Sequence, residues 1–249
     1  MAGHSKWAQI KRQKSANDAK RGALFTKVTR EITVAAREGG PDPDANYRLR
    51  LAIDKARAIN MPQENIRRAI ERATKGSEAE QYEEIVYEGY GPGGVAILVE
   101  AATDNRNRTA AEIRSIFSKH GGQVAGPGSV AWQFEPRGLI TIPRDGIDAD
   151  EVALLAIDAG ALDVTVDPDL VQVVTEPGAL EAVRRALEEA AVAIESAELT
   201  MIPRTTVELD DAKARQTLRL IEALEELDDV QRVTANFEVA EGILAEVAG

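Results

Sequence analysis

The spacing of apolar residues changes once along the chain, and this change constrains the fold more than any other feature. In the first part, apolar side chains such as Phe25, Val28 and Ile32 recur at the spacing of one helix face. Later in the chain they form short runs, as in residues 95–99, which are typical of strands. The sequence therefore predicts a helical first part followed by a part that contains β-sheet.

The first part is predicted to form three short amphipathic helices. The first helix starts near Ser15 and stops at the Gly-Gly-Pro sequence of residues 39–41, and the second starts at Asp44. The third starts at Pro62, because a proline in the first turn of a helix lacks only an N–H that would be unpaired anyway. These helices predict a small bundle, with residues 76–81 as the linker that follows it.

The second part predicts two α/β units, one inside the other. Residues 138–203 have the order strand–helix–strand–strand–helix–strand, which is the ferredoxin-like order. A hairpin, a helix of about residues 108–120 and a strand through Val130, Trp132 and Phe134 come before this module. A helix of about residues 211–227 and a strand of residues 230–237 come after it. If those last two elements complete the sheet that begins at Val95, the middle domain is ferredoxin-like as well.

The predicted fold class is therefore α+β, with an N-terminal three-helix bundle followed by two ferredoxin-like α/β sandwich domains, one inserted in the other. The predicted domains are residues 1–76 for the basic helical domain with its arm, residues 77–137 plus 204–249 for the middle domain, and residues 138–203 for the acidic insertion.

Charge is distributed unevenly between the two parts. The whole chain has 30 Lys and Arg against 42 Asp and Glu, a net charge of −12, which by itself argues against a nucleic-acid partner. Residues 1–75, however, carry seventeen basic and eight acidic side chains, a net charge of +9, whereas residues 76–249 have a net charge of −21. Because a basic module attracts polyanions and an acidic one repels them, the first part predicts nucleic-acid binding.

The candidate contacts are the basic side chains of the arm, the first helix and the third helix, together with one tryptophan. Each phosphate that they neutralise steepens the logarithmic salt dependence of binding by roughly 0.9 for duplex DNA. The tryptophan either stacks on an unpaired base or anchors the arm on the bundle. The candidates are Lys6, Trp7, Lys11, Arg12, Lys14, Lys20, Arg21, Lys27, Arg30, Arg67, Arg68 and Arg72.

Two further arginines, Arg106 and Arg108, begin a predicted helix at the end where positive charge is unfavourable. Asp104 could compensate them as a helix cap and ion partner. Alternatively, the two arginines form a second phosphate contact beside the glycine-rich turn of residues 91–94. The sequence leaves both interpretations open.

No catalytic residue, metal site or cofactor is predicted. The chain has no cysteine and two histidines, which excludes cysteine-ligated metals and thiol nucleophiles. Residues 89–94 match the spacing G-x-G-x-x-G, but they lead into a strand rather than a helix, so they predict a hairpin turn and not a dinucleotide loop. The acidic pairs, among them Asp210-Asp211 and Asp228-Asp229, are interpreted as helix caps and solvated faces.

We expect a cytoplasmic protein without a membrane partner. No apolar run reaches the roughly 20 residues that a membrane span needs, and the charged N-terminus lacks the apolar core of a signal peptide. The sequence gives no indication of the oligomeric state.

Six separated segments of the chain resemble the signature segments of the YebC/PmpR family. The resemblance spans nearly the whole chain and implies a three-domain protein without known catalytic activity. Because it opens at Met1, we expect a bacterial member without a transit peptide. The segments are MAGHSKW (residues 1–7), DAKRG (18–22), FTK (25–27), YEGYGPGG (87–94), DNRNRT (104–109) and MIP (201–203).

The resemblance implies two alternative roles in gene expression. Bacterial relatives are probable transcriptional regulators that bind DNA, whereas a mitochondrial relative activates translation of cytochrome c oxidase. Bacterial relatives are also linked to the synthesis of proline-rich stretches on the ribosome. The implied partner is therefore either DNA or ribosomal RNA.

The two roles would use different residues. Binding of DNA would use the third helix, where Gln63 and Asn65 lie near the start and two arginines follow, because such side chains suit base edges in the major groove. Binding of RNA would use the arm of residues 1–15, since a basic tail with an aromatic residue fits irregular RNA. Two further alternatives are a small-ligand-binding enzyme around residues 89–94 and an adaptor whose charged halves dock on each other.

Overall fold

The computed structural model describes residues 18–74 and 82–238, with side chains from Gly22 onward. The chain divides into two compact units. One unit contains the chain up to Gln133 and again from Pro203, and the other is the continuous stretch Phe134–Ile202. The helical part therefore belongs to the same unit as the first sheet.

Three helices form the first part of the described chain: α1 (Asp18–Gly39), α2 (Tyr47–Ala58) and α3 (Gln63–Thr74). Each helix buries one apolar face in a shared core, so the helical bundle that the apolar spacing predicts is confirmed. The larger side chains of this core are Val28, Ile32, Leu49, Ile53, Met61 and Ile66.

Asn46 fixes the connection between α1 and α2. Its side-chain oxygen accepts a hydrogen bond from the N–H of Leu49 at 3.1 Å, and its amide donates to the carbonyls of Ala35 and Gly40, each at 2.8 Å. Asparagine is a favoured cap because its side chain pairs with an N–H that the helix leaves free. α2 therefore begins directly after Asn46, later than the predicted start at Asp44.

The second part contains the predicted hairpin and the predicted strand–helix order of the inserted module. The strand expected through Val130, Trp132 and Phe134 is wrong, because residues 131–133 form a 3-10 helix and the strand before the module is Gln123–Ala125. Two short strands, at residues 207–208 and 237–238, are not predicted. No helix in the described ranges is long and apolar enough to cross a membrane. In chain order the elements are β1 (Glu83–Tyr90), β2 (Ala96–Thr103), α4 (Arg106–Lys119), β3 (Gln123–Ala125), β4 (Phe134–Pro143), α5 (Ala149–Asp158), β5 (Asp163–Val166), β6 (Leu170–Thr175), α6 (Leu180–Glu189), β7 (Ser196–Pro203), β8 (Val207–Glu208), α7 (Asp211–Glu225), β9 (Val230–Ala235) and β10 (Phe237–Glu238).

The first sheet has the strand order β3-β1-β2-β9, and each neighbouring pair is antiparallel. Strand β9 pairs with β2, with Ala235 opposite Ile97, so the C-terminal elements complete the sheet that the β1–β2 hairpin begins. α4 and α7 pack on this sheet and bury Phe117 and Leu218 in its core. The chain thus returns to the first sheet after it has built the second unit.

The second unit has the strand order β5-β6-β4-β7. Its elements follow as strand, helix, strand, strand, helix, strand, which makes it a ferredoxin-like module. β6 pairs antiparallel with β4 on one side and β5 on the other, and every one of its residues is buried, as expected of a central strand. The predicted α+β fold, helices followed by two sheet domains, is confirmed.

Candidate nucleic-acid interface

The outward face of α3 carries three of the arginines that the sequence proposes as nucleic-acid contacts. Ile66 and Ala69 are buried and fix the opposite face of the helix. The side chains of Arg67, Arg68 and Arg72 are exposed. The structure therefore brings these three arginines together on one accessible helix face.

Two glutamates share this face with the arginines. Glu64 pairs with Arg67 at 2.8 Å and with Arg68 at 3.1 Å, and Glu71 pairs with Arg67 at 3.3 Å. The hydrogen bond from Arg67, together with the one from Arg68, holds the pKa of Glu64 below its ordinary value. Ion pairs this exposed are weak because water and salt screen them, so a phosphate can replace a glutamate as the partner of either arginine.

α1 carries a stripe of four residues, Lys27, Arg30, Val34 and Arg37, which recur every three to four positions and so lie on one helix face. Val34 is buried, although the bundle core lies on a different face of the helix. Arg37 donates a hydrogen bond to the carbonyl of Tyr82 at 3.3 Å. We call these four residues the docking stripe, because all three of its cations contact the middle domain.

Lys27 contacts the C-terminal end of α7, and Arg30 contacts the turn that follows it. Lys27 Nζ donates to the carbonyl of Glu225, the last residue of that helix, and Arg30 donates to the carbonyl of Asp228. The last carbonyls of a helix have no partner within it and carry partial negative charge, so cations stabilise them. The guanidinium of Arg30 also lies 5.2 Å from the ring centre of Tyr82. These two cations therefore join the helical domain to the middle domain.

Asp229 lies at the centre of this contact. Its carboxylate pairs with Arg30 and with Arg108, each at 2.7 Å. It also accepts hydrogen bonds from the hydroxyls of Thr109 at 2.5 Å and Thr103 at 3.1 Å. The side chains of Asp229 and Arg30 are only 5% and 11% exposed. Burial alone would raise the pKa of Asp229, but Thr109 and then the two arginines hold that pKa below its ordinary value.

The start of α4 shows how the chain tolerates two arginines there. Asn105 is the N-cap and accepts a hydrogen bond from the N–H of Arg108 at 3.1 Å. Asp104 pairs with the guanidinium of Arg108 at 2.8 Å, so it is the ion partner that the sequence suggests, while capping falls to its neighbour. Arg106 is exposed and lies 3.5 Å from Glu83. A second phosphate contact by these arginines stays a prediction, with Arg106 the more accessible of the two.

The remaining candidates lie at or beyond the start of α1. Lys20 and Arg21 belong to its first turns, where the backbone alone is described. Lys6, Trp7, Lys11, Arg12 and Lys14 lie outside the described residues.

Residues 89–94 lie in the hairpin of β1 and β2, as the sequence predicts: Gly89 and Tyr90 end β1, and the turn follows from Gly91. Gly93 and Gly94 have φ angles of 76° and 81°, in the left-handed region that favours glycine. Gly89 packs against the core, where a Cβ would lie 2.5 Å from Phe117. Turn geometry and packing thus explain these glycines. In the part of the chain that the structure describes, no cluster of His, Asp and Glu side chains could hold a metal ion.

Two buried carboxylates were not singled out by the sequence. The interpretation of Asp228-Asp229 as a solvated pair is wrong for Asp229, which is buried, although Asp228 is exposed. Glu88 on β1 is the second one, and it binds backbone N–H groups of the loop after β3. The two arginines at the start of α4 indicate that a negative charge must lie nearby. The sequence does not show that Asp229 supplies it, because Asp229 lies 121 residues from Arg108.

Two family models match the chain. The model for the TACO1/YebC protein N-terminal domain matches residues 5–76, and the model for the TACO1/YebC second and third domain matches residues 82–237. Helices and two sheet domains thus match in the same order as in that family, and the chain belongs to it. The family resemblance seen in the sequence is confirmed.

Two curated relatives and one solved structure are similar to this chain over nearly its whole length. A "probable transcriptional regulatory protein" of Rubrobacter xylanophilus is 59% identical over 250 residues, which covers 100% of both chains. A protein of the same name from Roseiflexus castenholzii is 57% identical over 244 residues, or 96% of each chain. The crystal structure of a conserved hypothetical protein from Aquifex aeolicus has a TM-score of 0.85 at 48% identity, covering 90% of this chain and 93% of that one. Both curated relatives are thus named as regulatory proteins rather than as enzymes.

Proposed function

We propose that this chain is a non-enzymatic, cytoplasmic regulator of gene expression that binds duplex DNA through its basic N-terminal domain, without a cofactor. The observation that carries the proposal is the outward face of α3, where three arginines are exposed on a helix whose opposite face is buried. A helix with this distribution of side chains can enter a major groove and contact base edges and phosphates. The name of the relatives, probable transcriptional regulatory protein, supports the same role.

The other basic candidates have different parts in this proposal. Lys27 and Arg30 would act indirectly, because they hold α1 on the middle domain and so orient the bundle. Arg106 would add a phosphate contact outside the bundle. Direct phosphate contacts beside α3 would come from Lys6, Lys11, Arg12, Lys14, Lys20 and Arg21, with Trp7 stacking on a base.

A second candidate function, binding of ribosomal RNA through the arm, is favoured by one feature of α3. Glu64 and Glu71 both pair with Arg67, so a phosphate that approaches this face also meets two carboxylates. The arm of residues 1–15 contains no acidic residue, so RNA bound there would meet cations alone. In that case the protein would act on translation at the ribosome.

The chain offers a matched pair of variants for testing DNA binding. The sequence ENIRRAIE in α3 and the sequence EAVRRALE in α6 have the same order of charges. Arg68 pairs with Glu64 at 3.1 Å and Arg185 pairs with Glu181 at 3.4 Å, and both arginine side chains are 63% exposed. Arg68→Gln and Arg185→Gln therefore remove the same charge from similar local surroundings in two different domains.

We expect Arg68→Gln in the full chain to weaken binding to duplex DNA and to lower the slope of log affinity against log salt by about 1. Arg185→Gln should leave both quantities unchanged. Fluorescence anisotropy of a labelled duplex across a salt series measures both, and equal effects of the two variants would contradict the proposal.

The RNA alternative has its own variants on the arm. If Lys6→Ala with Trp7→Ala removes ribosome association in a sedimentation assay while Arg68→Gln leaves duplex binding intact, binding of RNA replaces binding of DNA as the function.

A further inference from the structure

The loop of residues 126–133, which joins β3 to β4, is held on the first sheet by a single buried carboxylate. Glu88 on β1 accepts hydrogen bonds from the N–H groups of Gly128 at 2.6 Å, Val130 at 2.7 Å and Ala131 at 2.8 Å. Hydrogen bonds to a charged acceptor are about twice as strong as neutral ones. The side chain of Val130 is also completely buried. Three hydrogen bonds and one buried side chain thus fix the loop on the sheet.

This fixed loop presents an exposed tryptophan. Trp132 is 69% exposed and is the only aromatic residue among the large apolar side chains exposed in the described ranges. Its indole N–H donates to the carbonyl of Ser129 at 3.1 Å, and the hydroxyl of Tyr90 donates to the same carbonyl at 3.0 Å. A tryptophan usually directs its N–H toward a partner. Because this one is already paired inside the loop, the indole offers a partner its ring surface.

An exposed arginine is hydrogen-bonded through its backbone to the end of the loop that carries Trp132. The backbone N–H of Arg204 donates to the carbonyl of Gln133 at 2.8 Å, so Arg204 is joined to the residue that follows Trp132. The side chain of Gln133 in turn accepts a hydrogen bond from Asn236 at 2.9 Å, which fixes this end of the loop. The structure thus joins the backbone of an exposed cationic residue to the end of the loop that carries the exposed tryptophan.

We propose that Trp132 and Arg204 bind an unpaired nucleotide, with the base stacked on the indole and the phosphate at the guanidinium. Base stacking on aromatic side chains tolerates every base, because each base has a π-face. A protein partner is less suited to this surface, since an aromatic anchor for protein is normally surrounded by contacts that exclude water. The exposed loop neighbours Gly126 and Gly128 have no side chain to supply such contacts.

This contact lies outside the helical domain, so it does not depend on α3. It would let the protein bind a strand whose bases are unpaired while the basic domain binds elsewhere on the same nucleic acid. Both RNA and single-stranded DNA carry the required base and phosphate, and the experiment distinguishes the two.

Tryptophan fluorescence tests the proposal directly, because the chain has two tryptophans. In a Trp7→Phe background Trp132 is the sole tryptophan, and it reports its own contact. We expect its emission to be quenched by a uridine oligomer or a thymidine oligomer, and to be unchanged by a fully paired duplex of the same length. Quenching by the uridine oligomer alone identifies RNA as the source of the nucleotide, and quenching by both supports binding of either strand.

Affinity measurements in the same background complete the test. Trp132→Ala should weaken binding of the unpaired oligomer about tenfold, the effect typical of losing one base stack, whereas Trp132→Phe should retain most of the affinity. Arg204→Gln should lower the salt slope, since it removes a phosphate contact. The matched control is Leu154→Ala in α5, a residue that is 65% exposed and should have no effect on this binding.

The proposal is overturned if saturating unpaired oligomer leaves the emission of Trp132 unchanged, or if Trp132→Ala binds as tightly as its parent. These readouts are separate from the duplex titration of Arg68→Gln, so either proposal can fail without the other.

Discussion

The charge of Asp229 is held in place by its surroundings, because two arginines from different elements pair with its carboxylate. Asp229→Asn keeps the shape of the side chain but leaves Arg30 buried without its ion partner. Removing one partner of a buried ion pair typically destabilises a protein by on the order of 3 kcal/mol. We expect a loss of that size in the free energy of unfolding, measured by urea denaturation.

The neighbouring residue supplies the control. Asp228 is exposed, and its backbone carbonyl rather than its carboxylate accepts the hydrogen bond from Arg30. Asp228→Asn should therefore change the free energy of unfolding by no more than about 0.5 kcal/mol, as is usual for exposed positions. Equal losses in the two variants would contradict the assigned role of Asp229.

The effect of Asp229→Asn on the free energy of unfolding should depend on pH. The pKa of Asp229 is lowered in the folded protein, while an aspartate in an unfolded chain has a pKa of about 3.9. The stability that its charge supplies is therefore complete above that pH and is lost as the pH falls through the lower, folded pKa. The difference in stability between the parent and Asp229→Asn should be largest at neutral pH and should narrow in strong acid.

Single residues show where sequence reasoning reaches its limit. The ion pairing of Arg108 with Asp104 could be predicted because the partners are one helical turn apart. The burial of Asp229 could not, because Asp228 and Asp229 are chemically identical and only the fold distinguishes them. The sequence also predicts Lys27 and Arg30 as nucleic-acid contacts, since nothing local indicates that they contact the carbonyls of Glu225 and Asp228.

At the scale of elements, the β1–β2 hairpin depends on a close approach at Gly89. A Cβ at this position would lie 2.5 Å from Phe117 Cε1 and 2.8 Å from the backbone oxygen of Gln123. Phe117 is completely buried, so it has little room to move. Gly89→Ala should therefore lower the free energy of unfolding by about 1–3 kcal/mol, the usual range for overpacking.

The same substitution elsewhere should have the opposite effect. Gly22 lies in α1, and a Cβ there would meet nothing within 4 Å. Because glycine is a poor helix former, Gly22→Ala should raise the free energy of unfolding by up to about 1 kcal/mol. Urea denaturation of both variants measures the contrast, and two losses of similar size would show that packing at Gly89 is not the cause.

Elements were predictable wherever their signals are local. Helix stops at glycine, the hairpin at residues 89–94 and the strand–helix order of the second unit all follow from short stretches of sequence. The pairing of β9 with β2 remained conditional, because β2 ends at Thr103 and β9 begins only at Val230, and the spacing of apolar residues does not show which strands pair.

At the scale of the whole molecule, the docking stripe determines how the bundle is held. Arg30→Gln removes the charge that pairs with Asp229 and weakens the contact with the carbonyl of Asp228. We expect faster amide hydrogen exchange in α1 and in the turn before β9, measured by mass spectrometry on the intact chain. The matched control is Lys55→Gln, which breaks the exposed pair with Glu31 at 2.7 Å inside the bundle. Identical exchange in the two variants would refute this role of the docking stripe.

The charge totals alone describe the molecule poorly at this scale. The net charge of −12 conceals a basic part and an acidic part, and the structure shows cations of the first contacting carbonyls and a carboxylate of the second. Some of the positive charge that predicts nucleic-acid binding is thus used within the protein. On α3, by contrast, the ion pairs described for Arg67 and Arg68 join them to glutamates of the same helix.

The second unit leaves and re-enters the first at neighbouring points, because the N–H of Arg204 donates to the carbonyl of Gln133 at 2.8 Å. An inserted segment whose two ends lie close together can be lengthened, shortened or exchanged with little effect on the unit that contains it. A short turn is enough to join the chain where the segment is removed. The junction is therefore a suitable point for engineering. A different domain could be grafted at this junction while the rest of the molecule keeps its own core.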